Sequence, residues 1–148
     1  MEYVNHNGRI ILSGCLIINE NKEVLLLYRK GHNHYETPGG KVHLEECKEK
    51  GVVTVDDLAK TAEREVFEEL GDKIKIEKLK YFGEIEFIIP DGRLAIAHKF
   101  ITKIVSGEPK INEANLFLKM DWLPLKHLGK YPISPDLKRL LPELKSLC

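Results

Sequence analysis

The segment TVDDLAKTAEREVFEELG, residues 54–71, constrains the fold more than any other stretch of the chain. Thr54 is placed to cap a helix, with Asp57 three residues on to complete a reciprocal cap. Gly71 supplies the left-handed stop. Leu58, Ala62, Val66 and Leu70 recur every four residues and form one apolar stripe. A helix with a single apolar stripe is not stable alone in water, so it must lie against a second layer.

The flanking segments supply that layer. RIILSGCLII and VLLLYRK read as strands joined by the polar turn NENKE. GHNHYETPGG reads as a loop closed by Pro38-Gly39-Gly40. KIKIEKLKYFGEIEFII alternates, turns at PDG (residues 90–92) and continues into RLAIAHKFITKIV. GEPKINEANL is a polar loop, and KMDWLPL is a short strand or its exit. SPDLKRLLPEL starts a last helix, with Ser134 as N-cap and Pro135 at the first helical position, and Pro142 leaves its end open. Strands, one central helix, more strands and a final helix predict an α/β (α+β) domain. Its mixed central sheet is expected to carry helices on both faces.

The 148 residues fit one domain over residues 1–148. Lys+Arg and Asp+Glu both total 23, so net charge points to neither a nucleic-acid polymer nor a membrane, and any electrostatic function is local. Cys15, Cys47 and Cys148 are odd in number and form no CxxC pair, which fits a reducing, cytoplasmic setting. MEYVNHNGRI does not read as a signal peptide.

Within the helix, Glu65, Glu68 and Glu69 fall within about 100° of arc, away from the centre of the apolar stripe. Like charges at spacings of three and four repel by a few tenths of a kcal/mol, roughly, per pair. A divalent ion among them reverses that penalty, since clustered carboxylates suit Mg²⁺ or Mn²⁺. A solvated acidic face is the alternative on the helix alone. The preceding PGGK adds information: Gly39 and Gly40 let backbone approach a ligand closely, and Lys41 offers charge to a phosphate.

A Gly-Gly-Lys loop followed by R-E-apolar-x-E-E-x-G resembles the Nudix box, G-x5-E-x7-R-E-U-x-E-E-x-G-U with U apolar. YETPGGKV resembles its opening and REVFEELG its end. GEIEF, HKF, GEP, Glu113 and Trp122 follow in an order similar to MutT-like nucleoside triphosphatases. The chain departs from the box twice. Counted from Gly40, the first acid is Glu46, but the arginine then comes ten residues late, at Arg64; counted back from Arg64, the first acid is Asp56. Either 47–56 is largely an insertion and Glu46 keeps its role, or Asp56 replaces it; cheap loop insertion favours Glu46. Asp72 stands where an apolar residue is usual, with Ile74 able to fill the gap.

The resemblance implies the Nudix fold, an α/β/α sandwich, and roles for single residues. Glu65, Glu68 and Glu69 match metal-binding glutamates, and the Gly39 carbonyl matches a backbone metal ligand. Arg64 matches an arginine that orients the glutamates. Lys41 and Arg29 match positions that meet phosphate, although Arg29 serves equally well as a strand-end surface charge. The implied reaction is Mg²⁺-dependent attack of water on a phosphoanhydride of a nucleoside diphosphate linked to a group X. Glu69 and Glu113 are the two candidate bases. A nucleoside triphosphate, including an oxidised purine such as 8-oxo-dGTP, is the expected substrate. ADP-ribose, a dinucleoside polyphosphate, or nucleotide sensing without turnover are the alternatives. Homodimerisation is left open. Tyr35, Phe87 and Trp122 are candidate walls for a base, or core residues; His32, His34, His43 and His98 show no metal-binding pattern.

Overall fold

The structure is a computed structural model that describes residues 3–49 and 51–148. Of the domain expected over 1–148 and the insertion expected at 47–56, residues 1, 2 and 50 lie outside the described residues.

The main sheet is built on β2 (Arg9–Ile17), which pairs in parallel with β8 (Leu94–Thr102). β7 (Lys80–Ile88) runs antiparallel to β8, and β1 (Asn5–His6) antiparallel to β2. The expected loop 31–40 contains structure of its own: β4 (His34–Glu36) and the start of β5 (Gly39–Lys41). β5 joins β2, whereas β4 joins β3 (Glu23–Arg29) and β10 (Phe117–Pro124) in a second sheet. The NENKE turn therefore carries the chain from one sheet to the other. A third, two-stranded pair joins β6 (Lys75–Ile76) and β9 (Ile104–Ser106). The Pro90–Gly92 turn is as expected, with Gly92 at φ 93° and its N–H on the Ile89 carbonyl at 2.8 Å.

Helix α1 spans Val55–Leu70, and the capping box of Thr54 and Asp57 forms as its residue types predict. The Gly71 N–H returns to the Phe67 carbonyl. Its φ of 88° with ψ of 161° lies in a region almost restricted to glycine, not in the left-handed helical well. Leu58, Ala62, Val66 and Leu70 are all buried. They pack on Ile11, Cys15, Ile17, Leu25 and Leu27 from the central strands. Helix α2 spans Pro135–Leu144 and continues through Pro142. It packs Leu137, Leu140 and Leu144 against Leu16, Val24 and Leu26, the alternate residues of the same strands. Each face of β2 and β3 is therefore covered by a helix, which is why both strands read as continuous apolar runs rather than alternating ones. Ile74 is buried in the α1 core while Asp72 is exposed, so the apolar position is filled two residues late.

One buried polar cluster ties β8 to α2. The Lys99 ammonium sits 2.7 Å from Asp136 Oδ2 and donates to Thr37 Oγ1 at 2.6 Å. Ser134 does not cap α2 with its side chain; its hydroxyl donates instead to Asp136 Oδ1 at 2.5 Å. Burial pushes the Asp136 carboxyl up. Lys99, the Ser134 hydroxyl and the Leu137 N–H more than offset that and hold it below the usual range. Removing one partner of a buried pair strands the other charge, a loss of about 3–5 kcal/mol. Lys99→Met should lose that much stability in urea unfolding, and Lys99→Met/Asp136→Leu should recover most of it. A single variant as stable as the parent would show that the pair is not structural. Because folding lowers this carboxyl, its contribution is complete above about pH 3.9 and is lost as pH falls through the folded value. Asp136→Asn should flatten that acid-side loss.

Candidate active site

The site forms where the end of β5 meets the second half of α1. Close approach there depends on small residues. A Cβ on Gly14 would lie 2.5 Å from the Pro38 carbonyl oxygen, and one on Gly39 would lie 2.8 Å from the Ser13 carbonyl oxygen. A Cβ on Gly40 would collide with the Glu65 carboxylate. The two glycines thus make room for strand β2 on one side and for a helix carboxylate on the other.

Arg64 is the hub of the acidic face. Its Nε donates to Glu46 Oε2 at 2.7 Å and its Nη2 to Glu46 Oε1 at 3.0 Å. Its Nη1 reaches Glu65 Oε1 and both oxygens of Glu68, all at 3.0 Å. Burial raises the Glu46 carboxyl, but the Arg64 and His43 hydrogen bonds outweigh it and the net shift is downward. Asp56, the other candidate for the first acidic position, is exposed on the first turn of α1.

The remaining acids are under-compensated. Burial, then repulsion from Glu68 and Glu113 against the pull of Arg64, pushes Glu65 up to about 7. Glu69 is 3% exposed and, among the described residues, accepts one hydrogen bond, from the Gly39 N–H at 3.1 Å. Burial, then the charges of Glu65 and Glu36, drives its pKa well above the ordinary carboxylate value. Glu68 is exposed. Buried oxygen donors repelling one another, with a glycine backbone beside them, fit a hard divalent cation such as Mg²⁺ or Mn²⁺. Glu113 lies close enough for its charge to act on Glu65, and its neighbour Asn112 is tied to the helix, its N–H to the Glu69 carbonyl and its side chain to that of Glu68, both at 2.9 Å.

A cleft of about 360 Å³ opens beside the glycines. Arg29, Gly39, Gly40 and Lys41 line one end. Phe87, with Leu12, Ile89 and Ala97, forms an apolar wall, and Lys99 and Asp136 line the cleft on the glycine side of Ala97, Lys99 standing opposite Gly14 in the ladder. Arg29 is tied to Glu36 at 2.7 Å and lies over the Phe117 ring, so it is more than a strand-end surface charge.

Two of the three aromatic candidates are elsewhere. Tyr35, expected among the substrate-binding residues, is 5% exposed in the α2 core, edge-on to Tyr28 and Tyr131, with its hydroxyl donating to Asp121 Oδ2 at 2.7 Å. It does not face the cleft: in β4 its neighbours His34 and Glu36 take the outward positions, so Tyr35 must point inward. Trp122 packs against the α1 core and lines a different hollow, with Gly107 and Pro109. Sequence reasoning passed over Lys99 and Asp136. The available signal was a lysine in an alternating run of buried residues, at the phase of Ala95 and Ala97.

No curated protein sequence matches the chain. The fold is similar to that of a MutT NUDIX hydrolase from Burkholderia pseudomallei, at 24% identity and a TM-score of 0.72, covering 92% of this chain and 97% of that one. It is similar to the MutT protein from Methanosarcina mazei Go1, at 24% identity and a TM-score of 0.71, covering 96% and 97%. It is also similar to the NUDIX domain of Shewanella oneidensis NrtR, solved in complex with ADP ribose, at 17% identity and a TM-score of 0.67, covering 95% and 89%. The model of the NUDIX domain matches residues 9–144, and the chain belongs to the Nudix family.

Proposed function

We propose that the chain is a Mg²⁺- or Mn²⁺-dependent hydrolase that cuts a nucleoside triphosphate, an oxidised purine such as 8-oxo-dGTP among them, to nucleoside monophosphate and pyrophosphate. The observation that carries this reading is Glu69: a carboxylate buried beside Glu65 under the Gly39 peptide, with one N–H as its partner. A structural acid would be paired, as Glu46 is by Arg64.

Glu65, Glu68, Glu69 and the Gly39 carbonyl would hold the cation, and Glu46 takes the first acidic position of the box, with 47–56 as the insertion. A divalent ion bound there would neutralise phosphate charge and make a bound water more acidic. The chain's own residues do the rest. Arg29 and Lys41 bind phosphate oxygens at the glycine end of the cleft. Phe87 offers an apolar surface to the base. Arg64 keeps Glu65 and Glu68 in register. Water attacks phosphorus, the phosphoanhydride P–O bond breaks with its electron pair leaving on pyrophosphate, and Glu69 or Glu113 takes the proton of the water.

A panel of nucleoside triphosphates, ADP-ribose and dinucleoside polyphosphates, assayed for phosphate release with Mg²⁺ and added pyrophosphatase, should show turnover of a triphosphate. Tight nucleotide binding with no turnover of any of them would replace this reading with a sensing role. Glu65→Gln, Glu68→Gln and Glu69→Gln should each leave thermal unfolding nearly unchanged and reduce kcat/KM by orders of magnitude. Undiminished activity in all three would remove the metal assignment. Lys has three donors where Arg has five in a rigid fork. Arg64→Lys should therefore destabilise by about 1–3 kcal/mol and also depress activity. Unchanged denaturant midpoints would show that the hub does not organise the face.

A further inference from the structure

The lining of the cleft includes three side chains, His32, His34 and Glu36, to which the proposed hydrolysis gives no ligand role. His32 lies in the turn after β3, and His34 and Glu36 belong to β4. One donor atom from each lies within 4.8 Å of the others. His34 and Glu36 share a face because alternate residues of a strand point the same way. Asn33 adopts a left-handed φ of 54°, and His32 ends beside His34 with ring centroids 5.3 Å apart. His34 Nε2 is 3.1 Å from Glu36 Oε2. The other oxygen, Oε1, is held by Arg29 at 2.7 Å, which fixes the carboxylate and leaves Oε2 directed at the imidazole.

Two imidazole nitrogens and one carboxylate oxygen are a donor set unlike that of the glutamate face. Imidazole suits Zn²⁺, Ni²⁺ or Cu²⁺, whereas Mg²⁺ takes oxygen. Zn²⁺ holds nitrogen and oxygen donors at about 2.0–2.2 Å, so donors on one ion lie no more than about 4 Å apart. Rotation of the exposed His32 ring can close the remaining gap. We propose that His32, His34 and Glu36 form a second metal site, for a borderline divalent ion of the Zn²⁺ class, at the rim of the cleft. Three protein ligands leave a coordination position open, as in zinc sites that admit a further ligand. The ion and Arg29 together outweigh the single carboxylate, so the open position favours an anionic oxygen such as that of a phosphate. This site stands whether or not the chain hydrolyses nucleotides.

The test is a titration of Zn²⁺ into tag-free, EDTA-stripped protein carrying Cys148→Ser, to remove the exposed thiol, with Mg²⁺ in large excess. Calorimetry should give one equivalent of Zn²⁺, and Co²⁺ in its place should give the visible absorption of a nitrogen-ligated ion. His32→Ala and His34→Ala should each weaken Zn²⁺ binding roughly tenfold or more. Glu65→Gln/Glu68→Gln/Glu69→Gln should retain it. His32 is exposed in a turn, so His32→Ala keeps the fold, and circular dichroism checks this. Absence of Zn²⁺ binding in the parent overturns the proposal. So does binding unchanged by both alanine variants, or binding lost with the glutamates.

Discussion

The guanidinium of Arg64 is the interaction on which the site depends. It faces Glu46 from the loop, and Glu65 and Glu68 from its own helix. Carboxylates at these spacings would otherwise repel and splay. A planar fork of donors can hold several of them at once, in fixed directions. Because Glu46 belongs to the segment after β5, the same side chain also fixes that segment to α1. The compensation is incomplete, since Glu69 lies outside its reach and rests on a backbone N–H. The face is thus organised by one cation and still has room for another.

This crowding is tolerated because the apolar packing beneath it leaves α1 one position. Leu58, Ala62, Val66 and Leu70 are buried against strands whose opposite face is sealed by α2. Turning α1 to carry its acids away from Glu46 and Gly39 into solvent would expose that stripe, at about 1.5–3 kcal/mol for each large side chain. The penalty for keeping the acids together is smaller than the penalty for moving them. Ser13 adds a directional restraint, its hydroxyl donating to the Leu58 carbonyl at 2.6 Å.

Much of this was legible in the sequence, for reasons that differ by element. The cap at Thr54, the stripe and the stop at Gly71 are local signals, and they produced α1 with its boundaries. The acids and glycines of the site are close in sequence or linked by that helix, so their convergence could be read. Tyr35 was misplaced because the three residues of β4 are too few to show an alternation, and GHNHYETPGG carries turn formers that hide two strands. The grouping of His32 and His34 with Glu36 was hidden for the same reason: their spacing of two means one face only if the segment is extended. The Lys99–Asp136 pair joins residues from β8 and α2, and nothing local announces such a contact. Glu46 against Asp56 was open because spacing alone supports both. Only the fold shows that the loop, not the first helical turn, returns to Arg64.

The cleft is polarised along its length, and this bears on what it can hold. At the glycine end stand Lys41 and Arg29, the latter tied to Glu36. Lys99 and Asp136 stand at this same end, Lys99 across Gly14 from Gly39 in the β5–β2–β8 ladder, and they already neutralise each other. Lys99 has three N–H donors and uses two, on Asp136 and Thr37. Asp136 receives Lys99, the Ser134 hydroxyl and the Leu137 N–H, which leaves one of its roughly four acceptor sites free. The pair therefore adds hydrogen bonding without net charge beside the glycines. Charge and apolar surface are thus set apart, the basic groups by the glycines and Phe87 with Ile89 on the other side of Ala97. A uniformly charged molecule such as inorganic polyphosphate would set part of its charge against Phe87 and Ile89.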